Sequence, residues 1–173
     1  NKGMQLPTHF VAGVLIDKIV RRSRLPAPAS LAATAAGCYL SHGVLDKMAR
    51  VTYHPPDPLD DPFWKGYHHR VLPAFTWLVT LWFGPRHWFA MLCSALPDLD
   101  WVVRGLSRRF GWQIEGWDTP ILNEGLHAAL DQVPVVNQLN RLPDLRYERK
   151  GALVEAGLVA VMLGLILMLD RKK

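Results

Sequence analysis

The sequence predicts an all-α helical bundle, integral to a membrane or embedded in one, with a long proline-rich loop. Three observations predict it. Half of the 173 residues are hydrophobic and a fifth are charged, a balance that leans towards a membrane. Apolar residues recur at helical spacing, and no stretch of any length alternates like a strand. Residues 152–169 form an eighteen-residue run with one charge, Glu155, just at the minimum span of a transmembrane helix. A buried core helix is the competing reading of that run. The length suits one domain over 1–173 with a real core.

The elements follow in order. Residues 7–20 predict a first helix, with Thr8 as its cap and Phe10, Val11, Val14, Leu15 and Ile19 on its apolar face. Arg21, Arg22 and Arg24 end it, and Leu25-Pro26-Ala27-Pro28 turns the chain. A second helix runs from about Pro28 to Arg50, with a first half rich in small residues that lets a neighbour approach closely. Residues 51–70 place four prolines in eight positions, which forbids regular structure there. Residues 71–83 and 87–103 are apolar runs around Gly84-Pro85-Arg86 and predict a helical hairpin. Residues 104–113 are basic and amphipathic, with Leu106, Phe110 and Trp112 as apolar anchors, so they suit either a lipid surface or a plain surface helix. A further helix covers about 121–132, and 152–169 is the probable transmembrane helix.

Charge and cysteine content exclude several classes. The net charge of +5 is scattered among apolar helices, with no aromatic-basic platform for nucleic acid. Anionic lipid headgroups match that mixture better, and seven tryptophans favour a membrane–water interface. Cys38 and Cys93 sit in apolar runs without CxxC spacing. No cleavable signal peptide is evident, because the first apolar run is short and carries Asp17 and Lys18.

The chemistry concentrates in a few polar residues beside apolar segments. His42 and Asp46 are four positions apart and share one helix face. A neutral imidazole and a carboxylate so placed can grip a divalent cation, although such a pair alone also serves as an ordinary i,i+4 contact. His9, His54, Asp98, Asp100 and His127 are the other candidate ligands. Asp98 and Asp100 lie two apart after Pro97, and a bound cation would relieve their mutual repulsion. The segment from His127 to Asp131 echoes the spacing of His42 and Asp46, so two facing helices of this kind would build a binuclear site. In an up-and-down bundle, alternation of direction brings His9, His42, Asp46, His54, Asp98, Asp100 and His127 to one end, and leaves His87 at the other.

The motifs Thr8-His9-Phe10, 39–46 and Leu96-Pro97-Asp98-Leu99-Asp100-Trp101 resemble the bacterial membrane-bound metal-dependent hydrolases of the YdjM type. Those look like distant relatives of the zinc-dependent phospholipase C and nuclease S1/P1 group. The resemblance covers about twenty residues. It implies a helical metallohydrolase of phosphate esters in a bacterial inner membrane, multi-pass, with His9, His42, Asp46, Asp98 and Asp100 as ligands. His54 and His127 rest on spacing and placement instead.

The expected activity is therefore phosphoester hydrolysis on a lipid or lipid-linked phosphate, with one or two divalent ions, zinc by the His/Asp mixture. Asp100 or Glu124 is the expected general base, and Arg70 or Arg104 the phosphate clamp. The competing reading is a non-enzymatic helical membrane protein that binds metal or serves as a scaffold.

Overall fold

The computed structural model describes residues 4–58, 60–111 and 121–171, and every regular element among them is helical. Helix α1 (Leu6–Arg22) is the central strut. It packs on α2 (Ala27–Met48), α4 (Leu72–Ala95) and α8 (Lys150–Arg171). Four consecutive residues, Val11, Ala12, Gly13 and Val14, are buried, so α1 is enclosed on all sides here, and Val11, Ala12 and Val14 join Leu45, Val79, Met91, Met162 and Ile166 in the main core. The expected Thr8 cap is not made. Thr8 lies inside the first turn of α1, and its hydroxyl donates to Glu155 of α8 at 2.8 Å.

The proline-rich segment is more ordered than its composition implied. After Asp61 the chain forms a short helix, α3 (Pro62–Gly66), and a π-helical turn (Tyr67–Val71) that leads into α4. The prolines do not prevent this, because Pro62 sits at the start of α3, where its missing N–H is no loss. Asp61 caps α3 by accepting from Trp64 N at 2.8 Å. Tyr53, Trp64 and Tyr67 then pack as a small second core against Ala152.

The expected hairpin is present: α4 consists of two helical arms that meet at a kink beside Gly84-Pro85-Arg86. Pro85 removes a helical hydrogen bond, and His87 departs to φ −128°, ψ 15°. Leu72 lines a cavity with Thr8, whereas Ser94 bonds the ring of His42, which stacks on His9. A straight helix would hold Leu72 and Ser94 about 33 Å apart, so the bend returns the second arm to the first turns of α1. Asp17 fixes the bend: it accepts from Arg21 Nε at 2.7 Å and meets His87 Nδ1 at 2.6 Å. His87 thus lies away from the candidate ligands, as expected.

After a 3₁₀ turn (Leu96–Asp98), α5 (Leu99–Phe110) ends on Gly111 at φ 68°. Trp112 of the expected amphipathic stretch lies outside the described residues. Helix α6 (Ile121–Asp131) packs on α2 at Gly43, where an added Cβ would run into Leu126 and Leu130. The short α7 (Pro134–Asn137) and a 3₁₀ turn (Gln138–Arg141) then lead towards α8.

Among the described residues α8 is the one helix long and apolar enough to cross a membrane, and 28% of its apolar window is buried. One face of α8 (Ala152, Glu155, Val159, Met162 and Ile166) is buried, and α8 packs on α1. The multi-pass expectation is reduced to this single candidate span, because α4 carries Arg86 and His87 at its kink.

Candidate metal centre

α1 and α2 pack side by side and antiparallel, so the first turns of α1 lie beside the last turns of α2, and this places His9 beside His42 and Asp46. Both histidine side chains are fully buried and Asp46 is 7% exposed. One ligand atom from each of the three lies within 4.8 Å of the other two, so the group could hold a metal ion. His9 Nε2 stands 3.2 Å from Asp46 Oδ1, and His42 Nε2 stands 3.3 Å from Oδ2.

The neighbours orient these groups. His42 Nδ1 lies 2.7 Å from the Ser94 carbonyl. A carbonyl only accepts, so Nδ1 donates, and Nε2, on the side of Asp46, is the nitrogen that gives up its proton when the ring is to serve as a ligand. Met4 N donates to Asp46 Oδ1 at 2.8 Å, which fixes the carboxylate from the other side. His42 Nε2 and both ring nitrogens of His9 have no hydrogen-bond partner although they are buried. Buried polar atoms left so cost about 1–3 kcal/mol each. A cation seated between the two Nε2 atoms and Asp46 would satisfy two of them, and the donor set of two imidazoles and one carboxylate suits zinc or a similar divalent ion.

Two more predicted residues complete the surroundings. His127 of α6 reaches Asp46 Oδ2 at 3.4 Å, and Asp98 reaches His42 Nε2 at 3.7 Å. Both are partly exposed, so they form the mouth of the site. Burial disfavours the charge on Asp46, but His127, His42 and His9 outweigh it and hold its carboxyl far below the usual carboxylate range. Burial also opposes a charged His42, and the Asp46 carboxylate overcomes this, so its pKa is raised. Burial pushes the Asp98 carboxyl up, against the pull of His42 and His9.

Other expected residues lie elsewhere. Asp100 is fully buried, but its carboxylate accepts from Asn123 N at 2.8 Å, in the first turn of α6. It fastens α5 to α6 and stands outside the ligand group. His54 faces Thr52, Gln5 and Trp64 at the same end of the bundle. Glu124 is exposed on α6, and Arg70 is exposed on the π-helical turn. Arg104 lies over the Trp101 ring, 5.5 Å from its centroid. Neither guanidinium is ion-paired with Asp46 or Asp98 among the described residues. The echoed His127–Asp131 spacing builds no second centre: His127 turns to Asp46, while Asp131 pairs with Lys47.

Two contributors carried no signal in the sequence. The Ser94 carbonyl is a backbone group and the Met4 amide is another, so residue type does not reveal either role. The chain was compared with protein-family models, curated proteins and solved structures, and none matches.

Proposed function

We propose that the protein is a membrane-anchored, metal-dependent phosphoesterase acting on a lipid or lipid-linked phosphate. The observation that carries this reading is the buried cluster of His9, His42 and Asp46 with three unpartnered ring nitrogens, open to solvent on the side of His127 and Asp98. Zinc is the ion of choice for such donors. When bound, it supplies a water of lowered pKa and stabilises charge on phosphoryl oxygens.

The chain's own groups have distinct parts in this reading. Ser94 and Met4 hold His42 and Asp46 in their binding orientation, as outer partners of metal ligands do. Asp98, at the mouth and with its pKa raised by burial, is the carboxylate suited to accept a proton from the attacking water. This replaces Asp100, whose carboxylate is engaged with α6. His127 steadies Asp46 and is available as a further ligand.

The membrane setting rests on α8 and on the outer face of α4. Trp77, Leu78, Leu81, Trp82, Trp88 and Leu92 of α4 are 59–76% exposed. So many exposed large apolar side chains on one element suit a lipid-facing surface. The site lies within the terminal turns of α1 and α2, so a lipid headgroup at the bilayer surface would meet its mouth. The resemblance to YdjM-type hydrolases supports the same reading.

The test is turnover of phosphatidic acid and of a water-soluble phosphate monoester by the purified protein. Activity that needs a divalent ion and disappears in Asp46→Asn and Asp98→Asn supports the proposal. Stoichiometric metal with no turnover of either substrate would leave a metal-binding membrane protein without hydrolytic activity.

A further inference from the structure

Helices α4 and α8 both pack on α1, and a cavity of about 280 Å³ lies where the three meet. Its depth is formed by buried residues: Pro7 and Thr8 of α1, Leu72 of α4 and Val159 of α8. Its rim is exposed, with Val71 on one side and Ala156 and Ala160 on the other. The two alanines are about one turn apart on α8, and their small side chains leave the way in open. Phe75, Val159 and Leu163 also pack in the main core, where the cavity ends. From Glu155 to Leu163 it follows α8 for about 12 Å.

The polar part of the lining is already engaged. Thr8 Oγ1 and Tyr67 OH both donate to Glu155, at 2.8 and 3.1 Å, and each hydroxyl has a single proton to give. A polar guest would find no free hydroxyl donor there. The remaining lining side chains are apolar.

We propose that this cavity binds one fatty-acyl chain of a membrane phospholipid, drawn in between α4 and α8. Size selects the guest. A dry apolar cavity of about 150 Å³ takes a benzene ring, so this one takes a single hydrocarbon chain. A helix from a partner is about 10–12 Å across with its side chains and is too wide to enter. Position selects the source. Val71 shares its face with Leu78, and Ala160 shares its face with Leu153 and Leu167, each seven positions away. All three leucines are exposed. The rim is thus continuous with the surface assigned above to lipid, and a chain passes from the bilayer into the cavity without crossing water. The Glu155 end lies nearer the metal centre, because Glu155 accepts from Gln5 N while Met4 N donates to Asp46. That end suits the head of the lipid, and the apolar end suits its tail. The inference rests on the membrane setting of the proposed function and takes nothing from hydrolysis.

Photo-crosslinking tests it, with the full chain in nanodiscs of phosphatidylcholine whose acyl chain bears a diazirine, and with adducts mapped by peptide mass spectrometry. Adducts are expected at Leu72 and Val159, which are each 8% exposed and out of reach of lipid that only surrounds the protein. They are expected also at the exposed Trp77 and Leu153. The double variant A156F/A160F fills the rim from exposed positions. It should cut the Leu72 and Val159 adducts several-fold and leave those at Trp77 unchanged. V161F alters an exposed residue of α8 outside the cavity and should leave every adduct at the wild-type level. Adducts confined to exposed residues, or Leu72 and Val159 adducts undiminished in A156F/A160F, would overturn the proposal and leave the membrane setting in place. Absence of adducts at Trp77 and Leu153 as well would overturn both.

Discussion

The imidazole rings of His9 and His42 stack face to face, with centroids 3.9 Å apart and planes 15° from parallel. Two protonated rings so close and so buried would repel strongly, so at least one must be neutral. With Asp46 against both Nε2 atoms, one shared positive charge suits the geometry. A proton can supply it, but it leaves buried ring nitrogens without partners. A divalent cation brings two positive charges, one of which offsets Asp46, and gives both Nε2 atoms a bond.

Metal binding should weaken as pH falls. His42 must lose its second proton to bind, and its pKa in the metal-free protein is raised above 6.5 by Asp46. Proton competition therefore begins on the alkaline side of 6.5 and grows steadily below it. Asp46 contributes nothing to this window, since its carboxyl is held far below the usual range and its own stabilising charge is lost only in strong acid. Zinc affinity measured by competition with a chelating dye should fall between pH 8 and pH 6. A flat profile would contradict the role of His42.

His127→Ala should weaken metal binding about 10–100-fold while leaving the fold intact, as loss of a group that orients a ligand does. The side chain is 26% exposed, so truncation opens no buried cavity. Calorimetric titration with zinc measures the change.

Gly43→Ala should disturb the site from outside it. The new methyl would meet the side chains of Leu126 and Leu130, so these leucines must repack, and any shift of α6 that follows carries His127 with it. Overpacking of this kind costs about 1–3 kcal/mol. The variant should show a lower Tm together with weaker zinc binding. A lower Tm with unchanged binding would separate His127 from the metal.

Glu155 is 2% exposed and accepts from Gln5 N, Thr8 Oγ1 and Tyr67 OH at 3.1, 2.8 and 3.1 Å. Glu155→Leu strands these donors, at about 1–3 kcal/mol for each one left buried and unpaired. Thermal unfolding should shift down by about 2–4 °C per kcal/mol. Glu155→Gln keeps a carbonyl acceptor and should cost less. Equal Tm values for the wild type and Glu155→Leu would show that this junction of α1, α8 and the π-helical turn is dispensable.

Much of the bundle was legible because helical periodicity and charged breaks mark α1, α2, α6 and α8 directly. The central ligands were legible for the same reason: the four-residue spacing of His42 and Asp46 puts them on one face, and alternation of direction brings His9, Asp98 and His127 to that end. What stayed hidden depends on tertiary partners. Asp100 carries the same chemistry as Asp98, but one position caps α6 while the other reaches His42. Glu155 reads as a lone blemish in an apolar run, and only packing reveals its three donors. The chain is irregular around Pro55, Pro56 and Pro58, as their composition requires, and becomes helical only from Pro62, which stands at a helix start, where proline is tolerated.

Elemental analysis of the purified wild-type protein beside Asp46→Asn, a change that keeps the side-chain shape, is the most direct measurement. At least one divalent ion per chain in the wild type, bound through histidine nitrogen by X-ray absorption and lost in Asp46→Asn, is the predicted result. A folded wild type that takes up no ion after zinc supplementation, or an Asp46→Asn variant that keeps its full complement, would contradict a metal centre at His9, His42 and Asp46.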